Sequence, residues 1–106
     1  MIERAKKYFH GAEGYNCAQA VLAAFDAPME QVLAAKAFGG GRAPEGLCGA
    51  FHAAKELVGE EAFAGMTSEM AEAAGGLSCR EIRPLGKLSC RDCVVLAAEL
   101  TKETLG

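Results

Sequence analysis

The sequence holds no tryptophan, only 7% aromatic residues and three prolines in 106 positions. A core without bulky rings has to be built from small side chains at close range. No apolar run approaches the roughly 18–20 residues that span a bilayer, so no membrane-crossing segment is expected. Basic residues do not dominate either. Eleven Lys and Arg stand against fourteen Asp and Glu, a net charge of −3, which argues against a nucleic-acid binder. The opening residues, Met1-Ile2-Glu3-Arg4-Ala5-Lys6-Lys7, lack the apolar stretch and small-residue cleavage site of a secretory signal. The expectation is therefore a cytoplasmic protein, in a compartment where thiols stay mostly reduced.

What is present is alanine, glycine and cysteine. There are 21 alanines and 13 glycines. Alanine is the best helix former and a poor strand former, and a chain of this length is one domain. The expected fold is all-α, a compact bundle of about five or six short helices within a single domain, 1–106. Helices are expected over 2–10, Cys17 to Phe25, Met29 to Phe38, Cys48 to Val58, Glu60 to Ala74 and Ser89 to Glu103. Their inner faces carry Ile2, Ala5 and Phe9; Cys17, Ala20, Val21, Ala24 and Phe25; Val32, Leu33 and Ala37; and Phe63, Met66 and Met70. Residues 77–89, with Pro84 and Gly86, read as irregular. The glycine-rich run Gly39 to Gly46 reads as an interhelical loop, with no helix inside it. No internal repeat or low-complexity tail is evident.

Five cysteines in 11 kDa are the unusual feature: Cys17, Cys48, Cys79, Cys90 and Cys93. In a reducing compartment such a set points to metal ligands or redox-active thiols, and an odd count leaves one sulfur over from simple pairing. Cys17, Cys48, Cys90 and Cys93 fall in the opening turns of expected helices. Unpaired N–H groups and the helix dipole there favour the thiolate. Cys90-Arg91-Asp92-Cys93 is a C-x-x-C pair with both sulfurs on one side of a helix. Cys17 shares a face with Val21 and Ala24, and Cys90 with Val94 and Ala97, so these sulfurs are expected to point inward. The competing reading is that buried cysteine simply packs as a small hydrophobe.

The loop Gly39-Gly40-Gly41 lacks the Gly-Lys-Ser/Thr ending of a phosphate cradle, so no nucleotide is expected. The glycines fit better as backbone approaching Cys48, where amide N–H groups bond to sulfur and tune it. His52, one turn after Cys48, and His10 are read as structural or surface residues in preference to ligands.

Gly14-Tyr15-Asn16-Cys17-Ala18-Gln19-Ala20-Val21, Ala37-Phe38-Gly39-Gly40-Gly41, Gly46-Leu47-Cys48-Gly49-Ala50, Cys79-Arg80-Glu81 and Cys90-Arg91-Asp92-Cys93-Val94 together resemble the C_GCAxxG_C_C family. These are small redox-active proteins defined by four cysteines, related to a domain of split-Soret cytochromes. The resemblance runs from about residue 8 to 100 and places the four family cysteines at Cys17, Cys48, Cys79 and Cys90. Ala53 stands where the family motif has its last glycine, and Cys93 is an extra sulfur. Val94 follows Cys93, so the C-x-x-C-H haem attachment sequence is missing and no covalent haem is implied.

Two functions follow as expectations. In the first, Cys17, Cys48, Cys79 and Cys90 hold an iron–sulfur cluster, or a single iron or zinc ion, with Gly39, Gly40, Gly41 and Gly49 supplying amides to sulfur. Its role would be electron transfer or redox sensing, with a redox partner protein that the sequence does not name. In the second, Cys90 and Cys93 are a metal-free catalytic thiol–disulfide pair. A third reading is a helical interaction protein with structural cysteines, whose alanine-rich faces would allow a homodimer.

Overall fold

The computed structural model describes residues 2–39 and 42–105. Seven α-helices follow one another: α1 (Ile2–Tyr8), α2 (Cys17–Ala24), α3 (Met29–Ala34), α4 (Gly49–Val58), α5 (Glu60–Ala74), α6 (Cys79–Leu85) and α7 (Cys90–Leu105). One-turn 3-10 helices lie at Ala35–Phe38 and Pro44–Gly46. Among the described residues there is no strand, only isolated bridges at Phe9–Tyr15 and Leu47–Ser78. The described residues are all-α as expected, with seven α-helices among them instead of five or six. No described helix is long and apolar enough to cross a membrane.

The alanines decide the architecture. Helix α2 is buried almost all round: Cys17, Ala18, Gln19, Ala20, Val21, Leu22 and Ala24 are all inside. A helix apolar on every side belongs at the centre, and small residues let its neighbours come close. It packs against α1, α4 and α7, and α4 packs in turn on α5 and α7. Phe51, Leu22, Met70, Val21 and Val94 are the largest side chains sealed within. Phe63, Met66 and Met70 face inward from α5 as expected.

Three expectations change. The third helix tightens to 3-10 at Ala35, which turns Ala35 inward and leaves Leu33 and Ala37 exposed. The glycine-rich run is not free of helix, since Pro44–Gly46 forms a 3-10 turn with Glu45 at φ 64°. The segment 77–89 is not irregular. It contains α6, started by a capping box in which the Ser78 side chain accepts from Glu81 N–H and the Glu81 carboxylate accepts from Ser78 N–H. Such a box satisfies two orphan amides at once, and Ser78-x-x-Glu81 is its sequence signature. Pro84 has no N–H to bond the preceding turn, and α6 ends one residue later, with Gly86 in the left-handed region (φ 62°).

Candidate functional site

All five cysteines line one cavity of about 350 Å³, together with Ile82, Arg83, Gly86, Leu88 and Ser89. Each sulfur arrives at the start of a helix. Cys17, Cys79 and Cys90 are the first residues of α2, α6 and α7; Cys48 is the N-cap of α4; Cys93 lies one turn into α7. Four helix N-termini thus converge on one space, and their unpaired amides and dipoles favour negative charge there.

The local chemistry explains each placement. Asn16 caps α2: its side-chain oxygen accepts from Gln19 N–H at 2.9 Å, and the Gln19 side chain accepts from Asn16 N–H at 3.1 Å. The Asn16 amide also donates to the carbonyls of Ala35 and Lys36, which ties Cys17 to the 3-10 turn. Cys48 N–H donates to Leu77 O at 2.8 Å, so the start of α4 is fixed to the segment that caps α6.

A four-residue pattern is then used twice. Ser78-Cys79-Arg80-Glu81 and Ser89-Cys90-Arg91-Asp92 share this local motif, one copy eleven residues after the other. In the second copy Asp92 N–H donates to the Ser89 hydroxyl at 3.1 Å and Ser89 N–H donates to the Asp92 carboxylate at 3.2 Å. Both copies place a serine cap, a cysteine, an arginine and a cap-closing acid in the same order.

Within the cavity Cys48 is the hub. Its thiol interacts with the sulfurs of Cys17, Cys79 and Cys93, and these contacts, with burial, push its pKa far up. The complementary effect falls on Cys17 and Cys93. Cys17 is lowered from 9.0 to about 7, chiefly by the Cys48 thiol, against burial and the nearby Cys79, with help from the amides of Ala18 and Ala50. Cys93 is lowered for the same first reason. Cys90 behaves differently. It is exposed as a residue, but its sulfur is partly desolvated at the cavity mouth and its pKa is raised by that, with Arg83 opposing. The inward-pointing sulfur of α7 is therefore Cys93, while Cys90 sits at the rim, because the first turn of α7 projects beyond the packed part of the helix.

The glycines divide. Gly49 is buried against the site: a Cβ there would lie 2.6 Å from Cys17 Sγ and 3.0 Å from the Phe38 carbonyl, so backbone reaches the sulfur where no side chain fits. Gly39 packs on the cap residue instead, since a Cβ would lie 2.8 Å from Asn16 Nδ2. Gly40 and Gly41 lie outside the described residues. His52 turns away from the sulfurs. Its Nε2 is 3.0 Å from Glu56 and its ring meets the edge of Phe38. His10 is exposed and stacks on Phe9.

The donor chemistry of the cavity suits a thiophilic metal, with sulfur ligands, helix N-termini and an approach kept open by Gly49. Among the described residues, no three His, Cys, Asp or Glu side chains are drawn together as a metal-holding group, and no disulfide joins the five cysteines. Sequence reasoning missed Ile82, Arg83 and Leu88 as walls, because it left 77–89 without structure; the capping signature at Ser78 was the signal for them. The chain matches no family model, no curated protein and no solved structure.

Proposed function

We propose that this chain is a thiol-based redox protein of the C_GCAxxG_C_C type, which holds an iron–sulfur cluster or a single iron or zinc ion on its cavity cysteines. The observation that carries the reading is the convergence of five sulfurs from four helix starts on one cavity, with Cys48 at the hub. Cys17, Cys48 and Cys79 would serve as ligands, and α7 would supply the fourth. The family correspondence gives Cys90 that place; the interaction with Cys48 favours Cys93, one turn deeper. The bound group would supply one-electron chemistry or a structural lock. The chain itself favours the thiolate at Cys17 and Cys93, leaves room beside the Cys17 sulfur by having glycine at position 49, and limits water with Ile82 and Leu88.

One observation favours the metal-free alternative. Cys90 is exposed at the rim while Cys93 is buried beneath it on the same helix, the arrangement of an attacking and a resolving thiol. Anaerobic reconstitution with iron and sulfide tests the choice. Roughly stoichiometric iron with visible cluster absorbance supports the metal reading. Colourless, iron-free protein that instead shows a reversible loss of two hydrogens at Cys90–Cys93 by mass spectrometry would replace it with thiol exchange.

A further inference from the structure

The cavity opens onto a surface whose charge runs against that of the chain. Residues 79–92 carry Arg80, Arg83, Lys87 and Arg91 against Glu81 and Asp92. The remainder of the chain carries seven basic residues against twelve acidic. The two acids in the segment are committed to their own helix caps. Lys87 is turned toward α5, where its ammonium donates to the Glu72 carbonyl. That leaves Arg80, Arg83 and Arg91, all exposed, with no side-chain hydrogen bond or close ion pair among the described residues; Arg80 has an electrostatic interaction with Glu81.

Their positions follow from the helix starts. Arg80 and Arg91 each come directly after a cavity cysteine, in the second position of α6 and α7. Arg83 is one turn beyond Arg80, so the two are neighbours on α6, and Arg83 lines the cavity with Cys90. Leu85, 58% exposed, closes α6 beside them. An apolar residue among exposed arginines has the composition of a protein-binding surface. A small anion inside the cavity would meet Arg83 alone. Arg80 and Arg91 are exposed next in sequence to the cavity-lining Cys79 and Cys90, and three guanidinium groups on this segment are better matched by an extended acidic face.

We propose that the surface formed by α6 and the start of α7 docks the acidic face of a redox partner protein over the cysteine cavity. The proposal rests on the redox reading of the cysteines for its purpose, but not for its geometry. Opposite charge would steer the encounter and orient the partner, at the cost of strong salt dependence.

The test is an NMR titration of the reduced, metal-free full chain with two probes, flavodoxin as an acidic redox protein and cytochrome c as a basic one. Flavodoxin should shift amides over 79–92 at low salt. Affinity should fall at least about five-fold between about 20 and about 200 mM salt, as the exposed charges become screened. Arg80→Glu with Arg91→Glu should weaken it by a similar factor. Acids in a first helical turn are well tolerated, so these variants should fold, and Arg83→Gln provides a milder check. Shifts from cytochrome c alone, shifts outside this surface, or flavodoxin binding indifferent to the charge reversals would overturn the proposal. Shifts reproduced by inorganic phosphate at Arg83 alone would replace the protein with a small anion. Docking that fails while iron loading stays intact refutes only the docking, and docking that survives in a chain unable to load iron or exchange thiols refutes only the redox reading.

Discussion

The starts of α6 and α7 are built from the same four-residue pattern, yet they deliver their sulfurs differently. In the first, the capped cysteine, Cys79, reaches the Cys48 hub. In the second, the equivalent Cys90 stays at the rim and Cys93 reaches the hub instead. The caps are alike, so capping does not decide which sulfur enters. The body of the helix does. Helix α6 has seven residues and buries only Ile82, and its first residue, Cys79, is half-buried. Helix α7 has sixteen and is anchored in the core by Val94, Ala97, Ala98 and Leu100, while its first residues, Cys90 to Asp92, stay exposed.

The largest effect that would sharpen this comparison comes from removing what both helices share. Cys48→Ser should weaken metal loading by more than the roughly 10–100-fold that loss of an outer-shell partner costs. Because a serine hydroxyl still fits the space, the fold should persist by circular dichroism. Retained loading would mean that Cys48 is only a packed thiol.

Next in size is the difference between the α7 sulfurs. Cys93→Ser should reduce cobalt or iron affinity about tenfold more than Cys90→Ser, on the same scale of ligand-shell effects. The reverse order would restore Cys90 as the ligand and break the contrast between rim and hub.

The caps themselves give a smaller effect. Ser78→Ala and Ser89→Ala should each cost about 1 kcal/mol, but with unequal reach. Helix α6 is short and contains Pro84, so hydrogen exchange should quicken along its whole length in Ser78→Ala. In Ser89→Ala only the first turn of α7 should open, since tertiary packing holds the rest. Equal spread in both helices would show that helix length is not what separates them.

The smallest effect is in pH. Cys17 has a folded pKa of about 7 against 9.0 in the unfolded chain, so its stabilisation is complete above about 9 and is lost as pH falls through about 7. Cys93 acts in the same direction. Cys48 and Cys90, raised in the fold, oppose this only above their unfolded value. The urea midpoint of reduced, metal-free protein should therefore rise from about pH 6.5 to about pH 8.5, and Cys17→Ser should flatten the rise. A midpoint that falls over this interval contradicts the lowered pKa of Cys17.

Much of this was legible in the sequence. Alanine content and helical periodicity gave an all-α fold, and α5 runs over the expected residues, Glu60–Ala74. The placement of cysteines at helix starts was also readable from Asn16 and Ser89. Two things were not. Proline and glycine in 77–89 outweighed the capping signature of Ser78 and Glu81, so α6 was lost, and with it Ile82 and Arg83. The ranking of Cys90 and Cys93 depends on how far α7 projects past its neighbours, which is a property of tertiary packing and leaves no local mark in C-x-x-C spacing.

The central claim is that sulfurs from separate helices act as one site. Cobalt(II) titration of anaerobic, reduced protein measures this directly, because sulfur-to-cobalt charge-transfer absorbance reports how many thiolates bind one ion. A single binding step with the intensity of four thiolates is expected, reduced in Cys93→Ser and absent in Cys48→Ser. A titration without charge-transfer absorbance, or one unchanged by Cys48→Ser, would contradict it.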